Sequence, residues 1–378
     1  HRIAHRYRCY DATTMRVLIA TGLYPPEIGG PATYTTRLER ELPSYDITVS
    51  VLPYSRVRGY PKLLRHLAYT WLLFRASRRV DLIHPLDPVS VGVPACLVSL
   101  LRRVPYVVRI AGDYAWETAA ARDENVVPPH QFATQRQPWR LRVLQWLETR
   151  VARRATRVIT PSAYLKRVIA SWGVPESRIT VIYNPGPDPA AYPSKAAARA
   201  ALGYDETTPL VLSAGRLIPL KRMGAIIESF ATVRAAVPDA RLAIVGDGPL
   251  AAELAQAVQA ASLTDAVDLP GRADARAMRH YLAAADVFVL NSSHETFSHL
   301  LLEALAAGTP VVAADVGGNP EIVAGERGGV LVPSGEQAAL ATAITRILTD
   351  PAHAAALSDG IPEALAQFQP DTITRTTV

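Results

Sequence analysis

VFVLNSSHETFSHLLLEALAAGTPVVA, residues 287–313, reads as a strand, a polar loop, a helix and the start of a second strand within 27 residues. Val287–Leu290 is an unbroken apolar run bounded by Asn and Ser, which suits a strand covered on both faces. From Phe297-Ser-His-Leu the apolar residues recur at helical spacing, and Gly308-Thr-Pro then ends the helix. Pro310–Ala313 opens the next apolar run. A strand, a crossover helix and a second strand of this kind imply parallel pairing.

The same unit repeats outward in both directions. Before it come the runs Leu210–Ala214, Ala240–Val245 and Val267–Leu269, each followed by a helical pattern. The first half repeats the alternation with Arg16–Thr21, Thr48–Leu52, Leu82–His84, Tyr106–Ile110, Arg157–Thr160 and Ile179–Ile182. Amphipathic stretches lie between them, among them Tyr34–Leu42, Lys62–Arg79 and Trp139–Arg154. Two such series predict two doubly wound α/β domains. Asn184–Pro193 packs four prolines and a glycine into ten residues, so neither a helix nor an interior strand continues through it. Residues 15–188 are therefore expected to form one domain and 189–360 a second, with 361–378 a tail that packs back on the first. Ser194–Leu202 is a helix leading into the second sheet.

At 378 residues the chain exceeds what one core usually serves. Apolar residues make up 49% and charged residues 20%, an ordinary globular composition. Cys9 and Cys96 are the two cysteines, too few for a disulfide framework and outside any metal-ligand spacing. A reducing, cytoplasmic setting follows as the expectation. The longest uncharged apolar stretch, Pro88–Leu101, is too short to span a bilayer. Residues 1–14 hold three arginines and no apolar core, unlike a signal peptide, and Met15 reads as the natural start behind an upstream extension. Residues 1–190 carry 27 basic and 14 acidic residues, the remainder 13 and 20. That asymmetry points to an anionic partner for the first half.

Ligands of open parallel sheets bind beyond the carboxyl ends of the strands, which places a site between the two facing sheets. Glu295 and Glu303 flank the start of the helix in the opening stretch. Free N–H groups over Phe297, Ser298, His299 and Leu300 would suit a diphosphate. Glu303 can accept bonds from two vicinal ribose hydroxyls, and Glu295 would face a sugar or the phosphate edge. A solvated helix with acidic residues near its start is the plainer reading of either glutamate. Ser213-Ala-Gly215-Arg216-Leu-Ile-Pro-Leu-Lys221 brings two cations to the end of another strand, an arginine fork and a lysine point charge. Val245-Gly246-Asp-Gly248-Pro249 adds a glycine turn at the same edge.

These motifs together resemble glycosyltransferase family four: Glu295, seven residues and Glu303 running into an Ala-rich helix and Gly-Thr-Pro, with Gly215–Lys221, Gly246–Pro249 and Gly317-Gly-Asn-Pro-Glu321. The likeness covers Met15 to about Asp350. It implies the GT-B fold, two doubly wound Rossmann-like domains facing across a cleft. It also implies that Arg216 and Lys221 bind the donor diphosphate, Glu303 the ribose and Glu295 the transferred sugar, with Gly271 and Arg272 beside the base. Tyr24–Pro31 matches the family's glycine loop, so Gly29 and Gly30 open a helix aimed at the donor phosphate. Where many members carry a histidine that contacts the donor sugar, this chain has Gly112-Asp113. Asp113 is thus either an acceptor or sugar contact or a helix cap.

The resemblance implies retention of anomeric configuration. Asp-x-Asp is absent, so no metal is expected: protein cations neutralise the leaving diphosphate, and the only co-substrate is a nucleotide-diphosphate sugar. A glycosidase pair is disfavoured, because Glu303 is committed elsewhere. A sugar-nucleotide epimerase, a phosphorylase or a non-catalytic nucleotide-sugar binder remain the alternatives. The stretches Lys62–Arg79 and Arg136–Arg157 mix arginines with Trp, Leu and Phe. They suit an anionic membrane surface, hence a peripheral location on the inner face of the plasma membrane, or plain half-buried helices. A saccharide or polyprenyl-diphosphate-linked acceptor in envelope polysaccharide assembly would match the former. No nucleic-acid module is present.

Overall fold

The computed structural model describes residues 14–27, 29–120, 127–132, 135–323, 325 and 327–377. The extension proposed for residues 1–14 and Cys9 therefore fall, but for Thr14, outside the described residues. By internal contacts the chain divides into two units. The first runs to Pro161 and takes in Lys166–Ile182 and the chain end from Thr374; the second comprises Ser162–Leu165 and Tyr183–Ile373. Of the expected tail, residues up to Ile373 thus belong to the second unit.

Twelve strands form among the described residues. In the first unit they are β1 (Met15–Thr21), β2 (Ile47–Pro53), β3 (Leu82–Pro85), β4 (Val107–Arg109), β5 (Arg157–Thr160) and β6 (Ile179–Val181). The second unit holds β7 (Leu210–Ala214), β8 (Arg241–Val245), β9 (Val267–Gly271), β10 (Val287–Leu290), β11 (Val311–Ala314) and β12 (Gly329–Val332). Every ladder is parallel. β12 was not anticipated. Its run starts on Gly329 and is closed in by Gly328 and Pro333, residues that ordinarily mark a turn.

The first unit orders its strands β2-β1-β3 and β4-β5-β6, joined by a parallel bridge from Ile83 to Tyr106. In the second unit the order is β12-β11-β10-β7-β8-β9. Order reverses between β1 and β3 and again between β7 and β10. At such switch points the connections leave in opposite directions and open a crevice at the strands' carboxyl ends. Strands β7, β10 and β11 are buried throughout, because helices cover both faces.

Helix ends follow local chemistry. Ser194 caps Lys195–Leu202 by accepting the Ala197 N–H, and Gly203 closes it in the left-handed region. Pro31 occupies the first turn of the helix Gly30–Glu41, where its missing donor costs nothing.

His84 on β3 is 5% exposed and donates its Nδ1–H to the Val107 carbonyl, 2.6 Å away. Burial pushes its pKa down to about 4. A folded pKa below the unfolded value of about 6.5 means the unfolded chain binds the extra proton. This contribution is complete above pH ~6.5 and is lost as pH falls toward 4, about 3 kcal/mol in all. Denaturant midpoints measured across that window should fall steadily in the native protein. They should fall less in His84→Asn, whose amide can still reach Val107; an equal slope would refute the assignment.

Candidate functional site

Five loops meet at the carboxyl edge of the second unit's sheet. After β7, Gly215 turns and Leu217 donates its N–H to the Asp247 carbonyl, 3.0 Å. The loop after β8 returns the contact from Leu250 to Leu217, 3.1 Å, and Gly246 donates to Gly271 at the end of β9, 2.9 Å. A Cβ on Gly246 would stand 1.8 Å from the Gly215 carbonyl, and one on Gly248 2.5 Å from that of Leu217, so only glycine lets these backbones meet. After β10, Ser293 donates to Leu220, 2.8 Å, and after β11 Gly318 donates to Glu295, 2.9 Å. The motifs are thus bonded to one another through backbone, and the site is a rigid rim.

At the β7/β10 switch point Lys221 meets Glu295. Nζ lies 3.0 and 2.9 Å from the two carboxylate oxygens, with the side chains 18% and 15% exposed. Two residues 74 apart in sequence form a charge-assisted pair in a partly desolvated place, where it is stronger than on open surface. Lys221's charge also reaches His294. Burial first, and that charge second, lower the His294 pKa to about 4, so the ring is neutral near pH 7. Its edge packs on Tyr164, centroids 5.7 Å apart. Arg216 is exposed at the same rim.

Glu303 lies on the helix His299–Ala306, half-buried, and no hydrogen bond within the described residues engages its carboxylate. Burial raises its pKa while Arg279 opposes, and its charge reaches Tyr192. A carboxylate held without a partner beside a cation has acceptor capacity to offer hydroxyls. Gly271 and Arg272 sit at the end of β9, Arg272 exposed.

Some expectations change. The helix begins at His299 rather than Phe297, because Ser298 is its cap and accepts the Leu301 N–H. Phe297 is 7% exposed and packs on Tyr183 and Phe368, centroids 5.7 Å each, so its side chain belongs to the core. The Leu300 side chain packs partly buried against the same core. His299 is exposed and shares a 3.0 Å hydrogen bond with Asn184. Asp113, 5% exposed in the first unit, caps the helix Tyr114–Ala120 by accepting the Trp116 N–H at 2.8 Å. Its carboxyl faces Glu148, which accepts the Tyr114 N–H, 3.0 Å. Burial, then Asp113's charge, raise Glu148, so the pair keeps a proton on Glu148. Of the two readings of Asp113, the cap is the one the structure displays. Gly29 and Gly30 lie at the start of the helix Gly30–Glu41 in the first unit.

Sequence reasoning passed over His294 and Glu321. Glu321 accepts the N–H groups of Ala163 and Tyr164, 2.7 Å each, and so closes the start of the helix Ala163–Ser171, 158 residues upstream. Its place in Gly-Gly-Asn-Pro-Glu was visible, but its partner was not.

Residues 194–363 match the family model for glycosyl transferases group 1, and residues 1–185 that for a glycosyl transferase 4-like domain. The chain is 28% identical to the alpha-maltose-1-phosphate synthase of Mycolicibacterium smegmatis, covering 90% of this chain and 92% of that protein. It is 29% identical to the 2-deoxystreptamine N-acetyl-D-glucosaminyltransferase of Streptomyces fradiae, over 92% and 83%. Anabaena HepE in complex with UDP superposes with a TM-score of 0.74 at 22% identity, covering 96% of this chain and 98% of that one. WaaG, a glycosyltransferase involved in lipopolysaccharide biosynthesis, gives 0.71 at 16% identity over 96% and 98%. Such likeness at low identity shows the fold, GT-B, with two Rossmann-like domains.

Proposed function

Because the chain belongs to the group 1 glycosyltransferases, we propose that it transfers a sugar from a nucleotide-diphosphate donor, with retention and without a metal ion, to a saccharide or lipid-linked acceptor. The observation that carries this is the Lys221–Glu295 pair at the β7/β10 switch point, with an exposed Arg216 just past β7 and an unengaged Glu303 on the helix after β10. Lys221 and Arg216 supply positive charge where a departing diphosphate would gather negative charge. Glu303 takes ribose hydroxyls, and Glu295 turns from Lys221 to the sugar. The C1–O bond to the diphosphate breaks as the acceptor oxygen bonds to C1 on the same face, and the acceptor proton passes to the departing phosphate oxygen. Positioning and electrostatics carry the rate. A solved neighbour described with UDP-glucose makes a uridine donor the first to try. A panel of nucleotide sugars should raise the melting temperature with one clear preference, and transfer should survive EDTA. Turnover abolished by EDTA and restored by Mg2+ would refute metal independence; no stabilisation by any nucleotide sugar would refute the donor reading.

The acceptor side faces a lipid surface in this reading. Every exposed large hydrophobic among the described residues lies in the first unit. Three helices packed in a row carry most of them: Leu67 and Trp71 on Lys62–Ala76, Leu100 and Leu101 on Gly92–Arg102, Trp139 and Trp146 on Trp139–Arg154. Exposed Arg75, Arg78, Arg103, Arg140 and Arg142 are interspersed. Apolar rings with arginines between them match an anionic bilayer interface, where the rings enter the headgroup layer and the cations meet phosphate. No helix among the described residues is long and apolar enough to cross the membrane. The protein should co-sediment with phosphatidylglycerol-containing vesicles at low salt, and Trp71→Ser/Trp139→Ser/Trp146→Ser should reduce binding about tenfold or more. Wild-type protein left in the supernatant would end this part of the proposal.

A further inference from the structure

The first unit has its own switch point, between β1 and β3. Asp87 stands there, just past β3. Its Oδ1 accepts all three N–H groups of the turn that follows, Val89 at 2.9 Å, Ser90 at 2.5 Å and Val91 at 3.3 Å. Oδ2 is turned toward Gly22, just past β1, where a Cβ would come within 3.4 Å of it. One oxygen therefore fixes the side chain while the other faces the gap that the glycine leaves. The turn itself depends on Gly92, whose Cβ would stand 2.5 Å from the Asp87 carbonyl.

The neighbouring strand ends bring phenols within electrostatic reach of the same carboxylate, and the Tyr54 ring packs on Tyr69 with centroids 5.1 Å apart. Burial raises the phenols of Tyr69 and Tyr114, and Asp87's charge raises both further. Tyr54 is raised by burial and, against an opposing Arg65, by Asp87 and Tyr114. Tyr54 follows β2 and Tyr114 follows β4; the first is half-buried and the second 39% exposed. Four consecutive strands thus deliver a glycine gap, a tyrosine, a fixed carboxylate and a second tyrosine to one edge. Asp113, at the same edge, spends its oxygen on capping and its carboxyl on Glu148.

We propose that the β1/β3 switch point is a polyol subsite, in which Asp87 Oδ2 accepts hydroxyls of a sugar or cyclitol ring that enters beside Gly22 and lies against Tyr54 and Tyr114. A carboxylate whose second oxygen is fixed by backbone accepts from vicinal hydroxyls without reorganising, and aromatic faces suit the C–H face of a pyranose or inositol. A phosphate would meet like charge here, so the subsite reads the ring of a substrate rather than its phosphate. Its assignment as the acceptor's place rests on the transferase reading above.

Full-length protein is probed with myo-inositol and methyl α-D-mannopyranoside by saturation-transfer NMR in the presence of UDP. Wild-type protein should show transfer to ring protons, and Asp87→Asn should weaken binding tenfold or more. Asparagine keeps an oxygen for the three N–H groups, so the melting temperature should stay within a few degrees, which separates recognition from turn building. Gly22→Ala, which fills the gap and leaves Asp87 intact, should weaken the same signal. Unchanged signals in both variants, or none from either ring in the wild type, overturn the subsite. UDP stabilisation is read separately: its absence in the wild type would sink the donor reading and leave the ring-binding result standing.

Discussion

Lys221→Ala should lower turnover about 10²- to 10³-fold while nucleotide affinity shifts by less than about tenfold. The asymmetry comes from where charge appears. In the proposed ground state the diphosphate would be shared among Arg216, the helix start and backbone N–H groups, while Lys221 is already paired with Glu295 at 2.9–3.0 Å. As the sugar leaves, negative charge on the terminal phosphate grows, and a cation held 18% exposed interacts with it through little water. The variant also strands Glu295, 15% exposed, so some of the loss comes from an unpaired carboxylate. Lys221→Ala/Glu295→Gln distinguishes the two: if repulsion by stranded Glu295 dominated, the double variant would recover most of the rate. Glu303→Ala should show the opposite signature, affinity weakened about 10- to 100-fold with the rate at saturating donor nearly kept, since ribose is bound equally before and during transfer. Isothermal titration with UDP and steady-state kinetics give both numbers. Wild-type turnover in Lys221→Ala, or wild-type affinity in Glu303→Ala, removes that residue from the site.

Much of this arrangement could be read before any coordinates, and the reason is physical. A parallel sheet covered on both faces needs unbroken apolar strands, so β1, β5, β7 and β10 stand out as short runs between turn residues. Gly246 and Gly317 mark places where backbones approach too closely for a side chain, and both lie just past strand ends. Pairings were less legible. Lys221 and Glu295 were each assigned a ligand; that they hold one another depends on β7 lying beside β10, which a strand order supplies and a motif does not. Phe297 was read for its backbone N–H; that its ring packs on both Tyr183 and Phe368, 114 and 71 residues away, is a tertiary contact no motif supplies. Asp113 stands where a family histidine stands, while Asp87 belongs to no motif and its place opposite Gly22 exists only in the folded chain.

Gly317→Ala should disable the enzyme without touching a side chain of the site. Gly317 lies in the left-handed region at φ 59°, and a Cβ there would stand 1.7 Å from the carbonyl oxygen of Glu295 and 2.7 Å from its carbonyl carbon. Neither obstacle is a flexible side-chain tip; both are backbone of the loop that presents Glu295 to Lys221. Alanine therefore has to push that loop away, breaking the 2.9 Å bond from Gly318 to Glu295 and opening the ion pair. The left-handed backbone costs about 1–2 kcal/mol and the lost hydrogen bond about 1 kcal/mol more, a fall of roughly 5–10 °C in melting temperature for a unit of this size. Turnover should drop at least as far as in Lys221→Ala, because Glu295 and Lys221 are displaced together. Gly308→Ala is the matched control. Its φ is 81°, yet nothing lies within 4 Å of the added methyl, so it incurs the backbone cost alone and should keep wild-type turnover. If the two alanine variants prove equally active, the Gly317–Glu295 contact does not position the site, and the rigid rim around the donor has to be rebuilt from other contacts.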